Sequence, residues 1–247
     1  MKNIVYIVAI NWKLQETSIK GWEYWCKKND CDFYVIDEPI VDVRDMAPHW
    51  QRYYIYEILE NENVEYDNIL YVDADAIVSW DAPNFFELSN GELGVVQDFA
   101  SYEWVYNGIK GYQHLFKGID YDWNDYFCTG FLLSNKKHRQ FYQDIISFYF
   151  RNQDELVRLQ ETFHGGTDQT PVNMLVNQMG IDFKLLPYEF NMNDMNRKEL
   201  LADDLLFTKV GWIYQYNAIP NNTENRLTNY FMKKTYEHFH GELDEVK

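Results

Sequence analysis

The clearest pattern in the chain is short, nearly unbroken apolar runs alternating with stretches of helical spacing. Ile4–Ile10 is apolar, β-branched and aromatic almost throughout, as expected of a strand covered on both faces of a sheet. Thr17–Asn29 places Ile19, Trp22, Trp25 and Cys26 at helical intervals. Cys31–Ile36 reads as a second strand. Ala47–Glu62 returns to helical periodicity, with Trp50, Tyr53, Tyr54 and Leu59 inward and Pro48 in the first turn, where its missing N–H is not needed. Asp67–Val78 is an apolar strand interrupted by two acids, and Leu93–Gln97 is another strand. Asp98–Tyr126 shows weak periodicity and predicts a long loop or flap. Beyond it the pattern predicts a strand over Phe131–Ser134, a long helix over Lys136–Leu159 and a shorter helix over Asp168–Gly180. That shorter helix has Thr167 or Asp168 near its N-cap and Pro171 in its first turn. A strand over Phe183–Leu186 and a helix over Glu224–His240, followed by a charged tail, complete the set.

Strands alternating with helices predict a doubly wound α/β sheet. Such sheets bind ligands beyond the carboxyl ends of their strands. Asp73 and Asp75 fall at one such end and Asp98 at another. No internal repeat or low-complexity linker divides the 247 residues, so one domain is expected.

Composition narrows the function. With 46% hydrophobic residues the chain has ample core material. A formal net charge of -17 disfavours a nucleic-acid partner, which needs a basic face. Three cysteines without a CxxC pair argue against a disulfide framework or structural zinc site and suit a reducing cytosol. No apolar run approaches the roughly 20 residues of a transmembrane helix, and the N-terminal run reads as a strand rather than a signal peptide. A cytoplasmic protein is expected. Gly-x-Ser-x-Gly, Walker and Gly-x-Gly-x-x-Gly patterns are absent.

Asp73-Ala74-Asp75 is the sharpest chemical signal. Two carboxylates one residue apart at a strand end can offer hard oxygen ligands to Mg²⁺ or Mn²⁺, leaving positions for diphosphate oxygens and water. Asp-x-Asp alone is common in turns. Here apolar residues press on it from both sides, where an unpartnered charge is expensive.

Tyr66-Asp67-Asn68-Ile69-Leu70-Tyr71-Val72-Asp73-Ala74-Asp75-Ala76-Ile77-Val78 resembles the metal-binding segment of GT-A-fold glycosyltransferases, nearest to the glycogenin-like and bacterial lipopolysaccharide galactosyl- or glucosyltransferases. Three further segments match in order: Ile7-Val8-Ala9-Ile10-Asn11, Cys128-Thr129-Gly130-Phe131-Leu132-Leu133-Ser134-Asn135 and Gly166-Thr167-Asp168-Gln169. The likeness covers roughly residues 1–190. It implies a GT-A, Rossmann-like, mixed but mostly parallel sheet flanked by helices. Residues 1–100 would form a nucleotide-binding half, 101–220 a donor and acceptor half, and 221–247 a C-terminal helix and tail. The implied activity is metal-dependent transfer of a sugar from a nucleotide-sugar, UDP-linked by preference, to a glycan or glycoprotein acceptor, with retention of configuration.

The same resemblance assigns roles. Asp73 and Asp75 would hold the metal, with Asp73 also near the ribose of the nucleotide. Ala9, Ile10 and Asn11 would line the base pocket, and Arg52 would lie near the donor. Thr129 and Gly130 would sit on the strand near the acceptor, and Asp168 and Gln169 would contact the donor sugar. Asp98 joins them by position alone. The family's late histidine ligand has Gln215 at the matching place, with His238 or His240 as alternatives; Gln offers only a carbonyl oxygen. Cys128 stands where the family usually has Asn. Tyr102, Trp104, Tyr106, Tyr112, Tyr121, Trp123 and Tyr126 form a candidate acceptor platform, since flat rings stack on sugar faces. His164-Gly165-Gly166 is a candidate hinge. Competing readings are a non-catalytic glycan-binding protein on a degenerate version of the fold, and a sugar nucleotidyltransferase. The latter lacks its expected Gly-rich loop at Asn11-Trp12-Lys13-Leu14.

Overall fold

The computed structural model describes residues 1–12, 16–88, 90–98, 101–116, 118–163, 168–193, 210–217, 219 and 222–244. The candidate hinge at residues 164–166 and the N-cap candidate Thr167 lie outside them.

β1 (Asn3–Val8), β2 (Asp32–Ile36), β3 (Asn68–Asp73), β5 (Leu93–Gln97), β6 (Phe127–Asn135) and β7 (Phe183–Leu186) form one six-stranded sheet in the order β2-β1-β3-β6-β5-β7. Five strands run parallel and β6 alone is reversed between β3 and β5. Both faces are covered, which explains the apolar runs. Along β1 and its continuation, Ile4, Tyr6 and Val8 enter one core while Val5, Ile7 and Ala9 enter the other. This is the two-residue alternation of a strand.

The second core lies under α1 (Glu16–Lys28), which buries Ser18, Gly21, Trp22, Trp25 and Cys26 on one stripe. Trp25 stacks on Phe85 at 4.9 Å. The first core lies under α4 (Arg139–Phe163), α5 (Gln169–Met179) and the segment before α2 (Ile55–Asn61). α5 ends on Gly180, whose left-handed φ of 62° closes the helix without a Cβ penalty. α6 (Arg226–Asp244) covers a smaller cluster around Tyr214 and Tyr216.

Several elements differ from expectation. Pro48–Tyr54 is a 3₁₀ segment, and only Ile55–Asn61 is α-helical. The reason is geometric: three residues per turn put Trp50 and Tyr53 together in the core and His49 and Arg52 together on the neighbouring face. The 98–126 region is not simply a loop. It carries α3 (Tyr102–Tyr112), capped by the Ser101 side chain and burying Val105, Ile109 and Tyr112. The predicted strand over 67–78 breaks at Ala74–Asp75. β4 (Ala76–Val78) leaves the main sheet and pairs antiparallel with β8 (Ile213–Gln215), which sets Ala76 opposite Gln215. β6 is nine residues long and fully buried, longer than its expected core of Phe131–Ser134.

Register then places the ends of the strands. Val72 pairs with Phe131, so one step further brings Asp73 opposite Gly130. The β5–β6 register jumps between Val95 and Val96, which leaves 129–131 as a bulge in β6. Gly130 is required there: a Cβ would lie 2.5 Å from Gln215 Oε1 and 2.7 Å from Asp73 Oδ2.

Two predictions follow from this framework. Gly130→Ala forces Asp73 and Gln215 apart and lowers unfolding free energy by about 1–3 kcal/mol, measured by urea denaturation; wild-type stability would contradict the packing. The second concerns His138, where β6 passes into α4. Its Nδ1 accepts the Asn135 backbone N–H at 3.1 Å. Burial, the largest cause, depresses its pKa to about 4; His49 is likewise depressed to about 4, mainly by burial. A folded pKa below the unfolded 6.5 means the native state binds fewer protons. The associated stability is present above about pH 6.5 and is lost as pH falls toward 4. His138 alone should account for about 2 kcal/mol between pH 7 and pH 5. His138→Gln, which keeps an acceptor and cannot titrate, should reduce the pH dependence of the urea midpoint. An unchanged slope would contradict the assignment.

Candidate functional site

Parallel strands deliver their carboxyl ends to one edge, and the acids gather there. Asp73 ends β3, and Asp75 follows in the turn to β4. Asp98 follows β5, with its backbone N–H held by the Tyr126 carbonyl at 2.9 Å. Asp168 is the N-cap residue of α5. A cleft of about 340 Å³ opens beside Asp73 and Asp75, which line it with Val8, Ile10, Trp12, His49 and Arg52 among others.

Arg52 organises this edge. Its side chain is 5% exposed. Nη1 lies 3.1 Å from Asp73 Oδ1 and donates to the Thr129 carbonyl at 2.8 Å. Nε donates to the His49 carbonyl at 2.6 Å and lies 3.7 Å from Asp168 Oδ2. The guanidinium carbon sits 4.4 Å from the centre of the Tyr71 ring. Burial works against the charge, but Asp168, Tyr71 and Asp73 outweigh it and hold the guanidinium's pKa well above its ordinary value. Tyr53 donates to Asp168 Oδ2 at 2.6 Å, and Tyr71 donates to Asp73 Oδ1.

Asp75 differs from Asp73. It is 9% exposed, and its Oδ1 is buried without a hydrogen-bond partner. Burial first, then the charge of Asp73, pushes its carboxyl up to about 8. A divalent cation shared with Asp73 would satisfy both features. The donor set fits that use: two carboxylates one residue apart, with hard oxygen atoms. Among the described residues no group of three His, Cys, Asp or Glu side chains comes together to hold a metal, so diphosphate oxygens, water or an amide would complete the shell. Gln215 is the amide at hand. Its Nε2 donates to Asp73, and its Oε1 accepts from Asn191 at 3.0 Å and from the Cys128 thiol at 3.5 Å. His240 is buried and bonds the Val78 carbonyl through Nε2 at 3.0 Å, and His238 is exposed. Neither histidine pairs with Asp73 or Asp75.

A second polar cluster adjoins the first. Gln169 donates through Nε2 to Asp98 and accepts the Thr129 N–H at 3.3 Å. Asn193 donates to Asp98 Oδ1 at 3.1 Å. The side-chain oxygens of Asn191 and Asn193 are buried without partners.

Of the residues expected at the base, Ile10 lines the cleft. Ala9 packs in the core, and Asn11 is exposed with a left-handed φ of 57°. Thr129 and Gly130 act through backbone: one offers its carbonyl and N–H, the other its missing Cβ. Sequence reasoning missed Trp12 and His49, which line the cleft and carry buried, unpartnered Nε1 and Nε2 atoms. It also missed Tyr53, Tyr71, Asn191 and Asn193. His49 was findable, since three-residue spacing puts it on the face of Arg52. The aromatic group divides. Tyr112 and Tyr126 are buried and Trp104 packs on the core, while Tyr121 is half-buried and donates to Asn173 Oδ1 at 2.7 Å. Tyr102, Tyr106 and Trp123 remain exposed.

Several solved glycosyltransferases share this fold. The chain aligns with a glycosyltransferase involved in glycosylation of the major capsid of PBCV-1 at a TM-score of 0.63 and 12% identity, covering 95% of this chain and 100% of that one. It aligns with the galactosyltransferase LgtC, solved with donor and acceptor sugar analogs, at 0.52 and 17%, covering 96% of each. It aligns with the glycosyltransferase GlyE of Streptococcus pneumoniae TIGR4 at 0.52 and 15%, covering 98% of this chain and 63% of that one. No curated protein matches it in sequence. Among the described residues no helix is long and apolar enough to cross a membrane. The model of glycosyl transferase family 8 matches residues 45–241, a span that contains Arg52, the Asp73–Asp75 pair, Asp168 and Gln215. The chain therefore belongs to glycosyl transferase family 8, as a nucleotide-sugar glycosyltransferase of the GT-A fold.

Proposed function

We propose that this enzyme transfers a sugar from a UDP-sugar to a glycan or glycoprotein acceptor, with retention of configuration and with Mn²⁺ or Mg²⁺ at Asp73 and Asp75. The observation that carries the metal is Asp75: a buried carboxylate oxygen without a partner, beside a second carboxylate. Bound there, the cation would neutralise the diphosphate and stabilise it as a leaving group. UDP and retention rest on the resemblance to the glycogenin-like group.

In this reading residues 1–100 hold the nucleotide. Its base lies in the cleft by Ile10, Trp12 and His49, whose ring is kept neutral by its lowered pKa. Asp168, beside Arg52 and accepting from Tyr53, is assigned with Gln169 to the donor sugar by the resemblance. Gln169 aligns Asp98 with Thr129 at the sugar. The buried amide oxygens of Asn191 and Asn193 are acceptors at the same edge. Gln215, whose Nε2 now donates to Asp73, would be the amide able to offer a carbonyl oxygen to such a cation. Cys26, Cys31 and Cys128 are free thiols, which supports a reducing, cytosolic setting.

Thermal unfolding against UDP, GDP, CMP and TDP, each with and without Mn²⁺, tests the reading. UDP with Mn²⁺ should raise the midpoint by mass action, and UDP alone should raise it far less. Asp75→Asn should unfold at or above the wild-type midpoint without ligand, because an unpaired buried carboxylate is removed, and should lose the metal-dependent shift. Absence of a metal-dependent shift with every nucleotide would favour the degenerate glycan-binding protein instead.

A further inference from the structure

α3 buries one face and leaves another bare. Val105, Ile109 and Tyr112 point into the core. Tyr102 and Tyr106, one helical turn apart, stand out at 60% and 46% exposure with rings 5.9 Å apart and 23° from parallel. Trp123, from the turn before β6, is 49% exposed and meets Tyr102 edge-on at 5.4 Å and 87°. Single exposed aromatics are ordinary. Three joined through Tyr102 form a contiguous patch, the kind of exposed apolar surface that marks a binding site.

The patch is rigidly tied to the donor edge. The turn carrying Trp123 is pinned where β5 ends, by the Gln97 side chain to the Asn124 carbonyl at 2.9 Å and by the Asp98 N–H to the Tyr126 carbonyl at 2.9 Å. Asp122 caps that turn by accepting the Asn124 N–H at 2.9 Å. Tyr126 in turn bonds Thr170 on α5 at 2.6 Å. Asp98 itself touches Gln169 and Asn193. A molecule on these rings therefore lies a few residues of backbone from the groups assigned to the donor sugar.

The surrounding chemistry selects the occupant. Exposed Glu103 and Asp122, each next to a ring in the sequence, outnumber the one ammonium at the patch, Lys110, whose Nζ sits 5.7 Å from the centre of the Tyr106 ring, and the chain's net charge is -17. Carboxylates repel anionic lipid, phosphate and acidic sugars, but they accept the hydroxyls of neutral ones. Aromatic faces edged by hydrogen-bond acceptors suit a pyranose ring, which is apolar on its face and polar at its rim.

We infer that Tyr102, Tyr106 and Trp123 are the acceptor-binding platform, and that the acceptor is a neutral glycan bound by ring stacking. The inference deepens the donor-site reading above and rests on it for the word acceptor.

The test is a glycan array carrying neutral, sialylated, sulfated and uronic-acid oligosaccharides, probed with labelled wild type, Trp123→Ala, Tyr102→Ala and Tyr106→Ala. The variants should unfold at the wild-type midpoint, since all three side chains are exposed. Wild type should bind neutral oligosaccharides, and Trp123→Ala and Tyr102→Ala should each weaken that binding at least about tenfold. No glycan binding by wild type, binding confined to acidic glycans, or binding unaffected by all three substitutions would overturn the proposal. The UDP and Mn²⁺ thermal shift reads the donor site separately. If that shift is absent while the variants still lose array binding, the platform stands and the donor reading falls.

Discussion

The site rests on one buried guanidinium. Arg52 lies between Asp73, at the end of β3, and Asp168, before α5, and also bonds the Thr129 carbonyl on β6. Tyr6, on β1, donates to the carbonyl of Arg52 at 3.0 Å. One cation thus ties the strand that ends in Asp73 to the start of α5, at Asp168. Without it, two acids of like charge would face each other near the core of a chain already strongly acidic. Removing one partner from such a buried arrangement leaves an uncompensated charge, which is far costlier than losing a surface ion pair.

The two acids of the pair have divided tasks. Asp73 is committed to protein partners: Arg52, Tyr71 and Gln215. Asp75 keeps a buried oxygen without one. In the proposed metal site the fixed acid would set the geometry, and the unsatisfied one would supply the drive to bind a cation. Gly130 makes this possible by giving up its Cβ where β6 passes Asp73.

Much of this was legible from the chain. Apolar runs located β1, β3 and β5 because both faces of the sheet are covered, and the Asp-x-Asp pair stood out because apolar residues enclose it. What was not legible depends on distant pairing or on a cleft that only the folded chain forms. Gln215 was placed near the acidic pair by the resemblance alone; it reaches Asp73 because β4 leaves the sheet to pair with β8, a contact spanning 142 residues. His49 shares the face of Arg52 at three-residue spacing, but nothing in the sequence marks the cleft that its ring lines. α3 was read as loop because two glycines and a row of tyrosines blur its stripe, and because its exposed rings weaken the polar contrast that marks an amphipathic helix. The aromatic residues between 102 and 126 could not be sorted by sequence, since core packing and sugar stacking draw on the same residue types.

Arg52→Met tests the central claim most directly, measured by urea denaturation and by the thermal shift with UDP and Mn²⁺. The account predicts a loss of about 3–5 kcal/mol in unfolding free energy together with loss of the metal-dependent shift, and partial recovery of stability in Arg52→Met with Asp168→Asn. A variant as stable as wild type that still shows the full shift would contradict it.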